Sequence, residues 1–211
     1  MLHGERRTVQ GGVEPASPGL ELHRGDALLV VDLQRDFLPG GSLAVPAGDA
    51  VVAPVNRCLE RFVALDLPVY ASRDWHPPGH SSFHPAGGRW PPHCVAGTPG
   101  AEFDSALRLP RAAGIVSKGG VSGDDGYSAF GGTDLHRRLQ AQGVHRLFVA
   151  GLATDSCVLK SVMDALAHGY AVVVLRDAVA AVDVQPGDGE RALAAMQAGG
   201  ATLAASADLT G

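Results

Sequence analysis

The chain has 211 residues, 45% of them apolar, which is enough for one domain with a sizeable core. Its 17 basic and 22 acidic residues give a net charge of −5 with no basic patch or tail, so nucleic acid is a poor partner. No apolar run reaches membrane-spanning length, and the opening "MLHGERRTVQGGVEPASPG" lacks the apolar centre of a signal peptide.

In chain order, residues 1–25 read as a polar, Gly/Pro-containing extension, either partly disordered or packed on a neighbouring subunit of a homo-oligomer. A single domain follows over 26–211. "ALLVVDL" (27–33) predicts a buried strand. The pattern over 49–65 predicts a helix with Val52, Val55, Leu59, Phe62 and Val63 on one face and Pro54 near its first turn. "LPVYAS" (67–72) is the next strand, followed by a long irregular stretch, 74–112, rich in Pro, Gly and His. Loops of that length are often functional.

"GIVSK" (114–118) predicts a strand, 133–142 a helix ended by Gly143, and "RLFVAG" (146–151) another strand. The helix after Cys157 places Leu159, Val162, Met163 and Leu166 on one stripe and stops at Gly169. "YAVVVL" (170–175), a helix near 188–198 and a weak strand "ATLAAS" (201–206) complete the chain. The alternation implies an α/β fold, with a mostly parallel sheet of about six strands and helices on both faces. The three cysteines, Cys58, Cys94 and Cys157, are too few and too odd in number for a disulfide framework, which points to a reducing cytoplasm.

In "VAGLATDSCVLKSV" a strand runs out into Cys157 at the start of a helix. Ligands of open α/β sheets bind outside the carboxyl ends of the strands. A helix N-terminus there lowers a thiol pKa and offers N–H groups to an oxyanion. The alternative is a small buried apolar side chain. Asp32 in "VVDLQRDF" and Lys118 in "VSKGG" come from two other strand ends, where a parallel sheet gathers them beside Cys157. The irregular stretch adds Asp74, His76, His80 and His84, then His93 in "RWPPHCVAGTPG". One Asp with two or three His suits Zn, Fe or Mn, although solvated loop histidines would leave the same pattern.

Five segments, "VVDLQRDFLPGGSLAVPAG", "DWHPPGHSSF", "WPPHCVAGTPGAEF", "SKGGVSGDDGYSAF" and "VAGLATDSCV", resemble in sequence and order the bacterial nicotinamidases of the isochorismatase-like cysteine hydrolases. The resemblance covers nearly everything from Asp26 onwards. It implies a catalytic set of Asp32, Lys118 and Cys157, and a single divalent metal (Zn, Fe or Mn) on Asp74, His76, His80 and His93. It further implies a cis peptide before Ala153 that turns the N–H groups of Ala153 and Cys157 into an oxyanion hole. Phe37, Trp90 and Tyr127 match the aromatic lining of the substrate pocket, whereas His84 matches no ligand position. The implied reaction is hydrolysis of nicotinamide, with pyrazinamide as a second substrate. A related hydrolase of another small amide or ureido compound, a silent sensor of a small pyridine, and a structural metal protein are the competing readings.

Overall fold

The computed structural model describes residues 20–120 and 126–211. Among the described residues, six strands form one sheet in the order β4-β3-β2-β5-β6-β7, and every pairing is parallel. They are β2 (Asp26–Val31), β3 (Val69–Asp74), β4 (Gly114–Lys118), β5 (Arg146–Leu152), β6 (Ala171–Ala180) and β7 (Thr202–Ala204). A separate two-residue strand, β1 (Leu20–Glu21), pairs in parallel with β8 (Leu209–Thr210), so the two ends of the described chain meet. The expected extension lies largely outside the described residues.

Strand β2 is apolar throughout after Asp26 because both of its faces are covered. Its Leu28 and Val30 face α1 (Val52–Ala64), with Val55, Cys58, Leu59 and Phe62. Its Ala27, Leu29 and Val31 face the other layer: α2 (Leu135–Ala141), α3 (Leu159–Ala167) and α4 (Asp188–Ala198). Val63 and Met163, expected on buried stripes, are instead 51% and 39% exposed. Val63 falls in the last turn of α1, and Met163 lies over the backbone of Gly199 at the end of α4.

Several boundaries differ from those read in the sequence. β2 stops at Val31, and Asp32 leaves it with φ 47°, outside the strand rather than within it. β6 runs on to Ala180, past the apolar run, with Arg176 and Asp177 exposed. The irregular stretch holds two short 3-10 turns, His84–Ala86 and Pro99–Ala101. The segment Thr154–Val158, expected as the first turn of an ordinary helix, is π-helical and leads into α3.

Strand order reverses direction at β2: the chain moves outward through β3 and β4, then returns to add β5, β6 and β7 on the other side. A crevice opens beyond the carboxyl ends of β2 and β5 at such a point. Asp32 follows the first of these strands, and the turn bearing Cys157 follows the second.

Candidate active site

Lys118 ends β4 beside Asp74, which ends β3, and the two are paired in register. Its side chain runs inward and is 2% exposed. The ammonium lies 2.7 Å from Asp32 Oδ2 and 2.5 Å from Asp74 Oδ1. It also donates to the Gly126 carbonyl at 2.6 Å and lies 3.4 Å from Cys157 Sγ. Asp32 is held from its other side: Ser72 Oγ donates to Oδ1 at 2.7 Å, and the Asp32 N–H donates to the Ser72 carbonyl at 3.1 Å. Acceptor atoms of Asp32 and Asp74 and the Cys157 sulfur all lie within 4.8 Å of one another. The three residues read at three strand ends are therefore one cluster.

Two carboxylates and a thiol thus surround one lysine in a buried space, and they ionise differently. Burial alone would lower Lys118, but Asp32 and Asp74 outweigh it and keep it an ammonium. Burial would raise Asp74, yet Lys118 and His76 hold it well below the usual carboxylate range. Asp32 goes the other way: burial raises it, Lys118 opposes the rise, and Asp74 adds to it. Burial also pushes the Cys157 thiol well up; Lys118 opposes this, and the two carboxylates reinforce it. The helix-terminus effect expected to lower this thiol is overridden by desolvation. Both shifts favour the protonated form, so a thiol and a carboxylate with raised proton affinity stand side by side.

Asp74 has a second face. Its Oδ2 points away from Lys118 and lies 3.4 Å from His76 Nε2 and 3.8 Å from His93 Nε2. The imidazoles are oriented from behind: His76 Nδ1 donates to the Gly119 carbonyl at 3.0 Å, and His93 Nδ1 to the Pro91 carbonyl at 2.8 Å. Bonding through Nδ1 turns Nε2 toward Asp74, which is how a metal-binding histidine is oriented. Burial lowers His93 and so favours its neutral form. Burial works the same way on His76, but its bond to Asp74 reverses the direction. His80 stacks on His76, with centroids 4.2 Å apart, and its Nδ1 lies 2.7 Å from Ser82 Oγ.

Asp74, His76 and His93 converge as possible metal ligands, and His80 stands beside them in the same buried group. One carboxylate with several imidazoles fits a Zn, Fe or Mn ion. The neighbouring group of Asp32, Asp74 and Cys157 has similar spacing, but there the Lys118 ammonium already serves as the cation. His84 stays outside the cluster, with its Nε2 donating to the Arg89 carbonyl at 2.7 Å.

Cys157 opens onto a narrow cavity of about 40 Å³ that also reaches Asp74, His76 and His93. Phe37, Trp90 and Tyr127 all line it, and Trp90 Nε1 donates to the Tyr127 hydroxyl at 3.0 Å. Ala153 lines it too, and the Leu152–Ala153 peptide bond is cis. Cys58 and Cys94 are buried elsewhere, and burial pushes Cys58 up to about 12.

Sequence reading missed the residues that hold these groups in place. Gln34 accepts from the Asp74 N–H and donates to the Asp74 carbonyl, both at 2.8 Å. Ser72 fixes Asp32. Both are fully buried polar side chains, but in the sequence each precedes charged residues, Arg35 and Asp36 or Arg73 and Asp74, so no local signal set them apart.

The chain matches the Isochorismatase domain family over residues 26–208. It is 40% identical over 203 residues to the nicotinamidase of Escherichia coli (strain K12), an alignment covering 86% of this chain and 95% of that protein. Among solved structures it resembles the pyrazinamidase of Pyrococcus horikoshii in complex with zinc: TM-score 0.82, 46% identity, covering 86% of this chain and 99% of the other. It is also similar to PnC1 from L. infantum in complex with nicotinate: TM-score 0.82, 38% identity, covering 89% and 96%.

Proposed function

The chain belongs to the isochorismatase family, and within it we propose a metal-dependent nicotinamidase that hydrolyses nicotinamide to nicotinate and ammonia. One observation carries the reading: the two oxygens of Asp74 face two different clusters across one cavity wall. Oδ1 meets the lysine of the cysteine site, and Oδ2 meets the histidines. A ligand lying between them would place its amide carbon at Cys157 and its ring nitrogen toward the histidines.

The chemistry follows from the protonation states. Asp32 accepts the Cys157 proton, and Lys118 balances the charge as the sulfur becomes a thiolate. Sulfur attacks the carboxamide carbon, and the N–H groups of Ala153 and Cys157 receive the oxyanion. Protonated Asp32 returns its proton to the departing nitrogen; the C–N bond breaks, ammonia leaves, and a thioester on Cys157 remains. A water deprotonated by Asp32 then adds to the thioester. The C–S bond breaks, the thiol is restored, and nicotinate is released.

The residues that would hold the metal are Asp74, His76, His80 and His93. When bound, it supplies a Lewis-acid contact for the pyridine nitrogen and so acts as a template. Phe37, Trp90 and Tyr127 enclose the ring. Pyrazinamide carries a ring nitrogen and a carboxamide in the same relation and is the second substrate. A free thiol nucleophile suits a reducing cytoplasm.

The test is ammonia release from nicotinamide by the purified protein, as isolated, after chelation, and after adding back zinc, iron or manganese. Release that is lost on chelation and restored by metal supports the reading. Chelation without effect would remove the metal's role. Nicotinamide performing no better than a panel of other small amides and ureido compounds would assign the site to another substrate.

A further inference from the structure

Asp155 lies two residues before Cys157, in the same π-helical turn, and the proposed mechanism does not use it. Its carboxylate accepts two consecutive backbone N–H groups from a distant segment: Val182 to Oδ1 at 2.9 Å and Asp183 to Oδ2 at 2.9 Å. That segment begins just where the β5–β6 ladder ends, at the Leu152–Ala180 pair. Beyond this pair both chains leave the sheet, one toward the nucleophile and the other along the cavity wall. Val182 lines the cavity together with Ser156 and Cys157.

The connection continues outward. Asp183 adopts φ 52°, and its own Oδ1 accepts the Gly189 N–H in the first turn of α4 at 2.7 Å. The residue preceding that helix, Gly187, has no side chain to do this. One chain of hydrogen bonds therefore runs from the cysteine turn through Asp155, the wall segment and Asp183 to a helix.

We propose that Asp155 is a positioning residue for the reaction: it fixes the turn bearing Cys157 against the wall at Val182–Asp183, and so sets the line along which the sulfur meets the substrate. A carboxylate is required because two donors point at it. An asparagine of the same size would offer one acceptor and set its NH2 against the second N–H. A purely space-filling residue would tolerate that exchange, whereas a positioning clamp does not.

The inference shares with the functional reading only the premise that Cys157 is the nucleophile. The experiment compares wild type with Asp155→Asn in three measurements: alkylation rate of Cys157 by iodoacetamide, followed by mass spectrometry of its peptide; kcat and KM for nicotinamide; and thermal unfolding. The expected result is at least a tenfold fall in kcat, a changed alkylation rate and a smaller change in KM, with a melting temperature close to wild type. Alkylation and kcat both within twofold of wild type would overturn the proposal, as would losses that occur only together with a collapse in melting temperature. If wild type shows no turnover but Asp155→Asn still alters alkylation in a stable fold, the clamp stands and the nicotinamidase reading fails. Should Asp155→Asn not fold, Asp155→Glu keeps both acceptors on a longer stem. An unaltered Cys157 alkylation rate in that variant overturns the proposal, and a lowered rate supports it.

Discussion

Strand β2 is followed by a buried carboxylate at one end and begins with another, and the two ends are built on opposite principles. At the amino end, Asp26 meets Arg146 in a fork, Nε to Oδ1 at 2.7 Å and Nη2 to Oδ2 at 2.5 Å. The His23 N–H adds a third bond to Oδ2 at 2.7 Å. One anion faces one cation, and both oxygens are bonded. At the carboxyl end, Asp32 and Asp74 share Lys118 with the Cys157 thiol close by. Among the described residues, that cluster holds one carboxylate more than its lysine can balance. A buried ion pair alone therefore says little about function. An uneven one, with a nucleophile inside it, indicates chemistry, because some member must change its protonation state easily.

Cys157→Ala breaks the uneven end most completely. Turnover should fall by at least ~10³-fold, as expected when a covalent nucleophile is removed. Metal content and melting temperature should hold, because the alanine removes only a sulfur that faces a cavity. Ammonia release and metal analysis on the same preparation check this. Substantial residual turnover would end the covalent mechanism.

Arg146→Met tests the even end and should give the converse. It leaves Asp26 buried without its cation, and breaking a fully buried pair costs about 3–5 kcal/mol. The Arg146 side chain is 20% exposed, so a loss nearer 2–3 kcal/mol is expected. Urea unfolding measures it. The kcat of the folded fraction should stay within about twofold, since no residue of the cysteine cluster is touched. A fall in kcat at unchanged stability would erase the distinction between the two ends.

The sequence made one of these ends easier to read than the other. Asp32, Lys118 and Cys157 were legible because each follows an apolar run, and a parallel sheet brings such positions together. Asp74 and the histidines were legible as a crowded donor set in a Pro/Gly-rich stretch, though only their likeness to known motifs separated them from His84. Nothing local marks Asp26 and Arg146 as partners, because their pairing depends on β2 lying beside β5. The same reason hid Ser72, Gln34 and Asp155, whose partners come from other strands or loops. The π-helical turn was missed because a helical period cannot register one extra residue in a turn. The extension of β6 was missed because the charged residues Arg176 and Asp177 interrupt the apolar run.

The smallest expected effect lies at the mouth of the cavity, which shares the carboxyl end of the sheet but has a neutral hydrogen bond as its notable contact. Tyr127→Phe keeps the ring and removes the hydroxyl that accepts from Trp90 Nε1 at 3.0 Å. A neutral hydrogen bond contributes about 0.5–1.5 kcal/mol, which as binding energy is roughly a 2–10-fold rise in KM. The mechanism assigns this hydroxyl no proton transfer, so kcat should change little. The indole loses a partner only at a cavity wall that water can reach, so the melting temperature should also hold. Steady-state kinetics on nicotinamide with a melting curve separates the outcomes. A fall in kcat matching that of Cys157→Ala would place Tyr127 among the reacting groups, and the boundary between the charged floor of the cavity and its aromatic mouth would have to be redrawn.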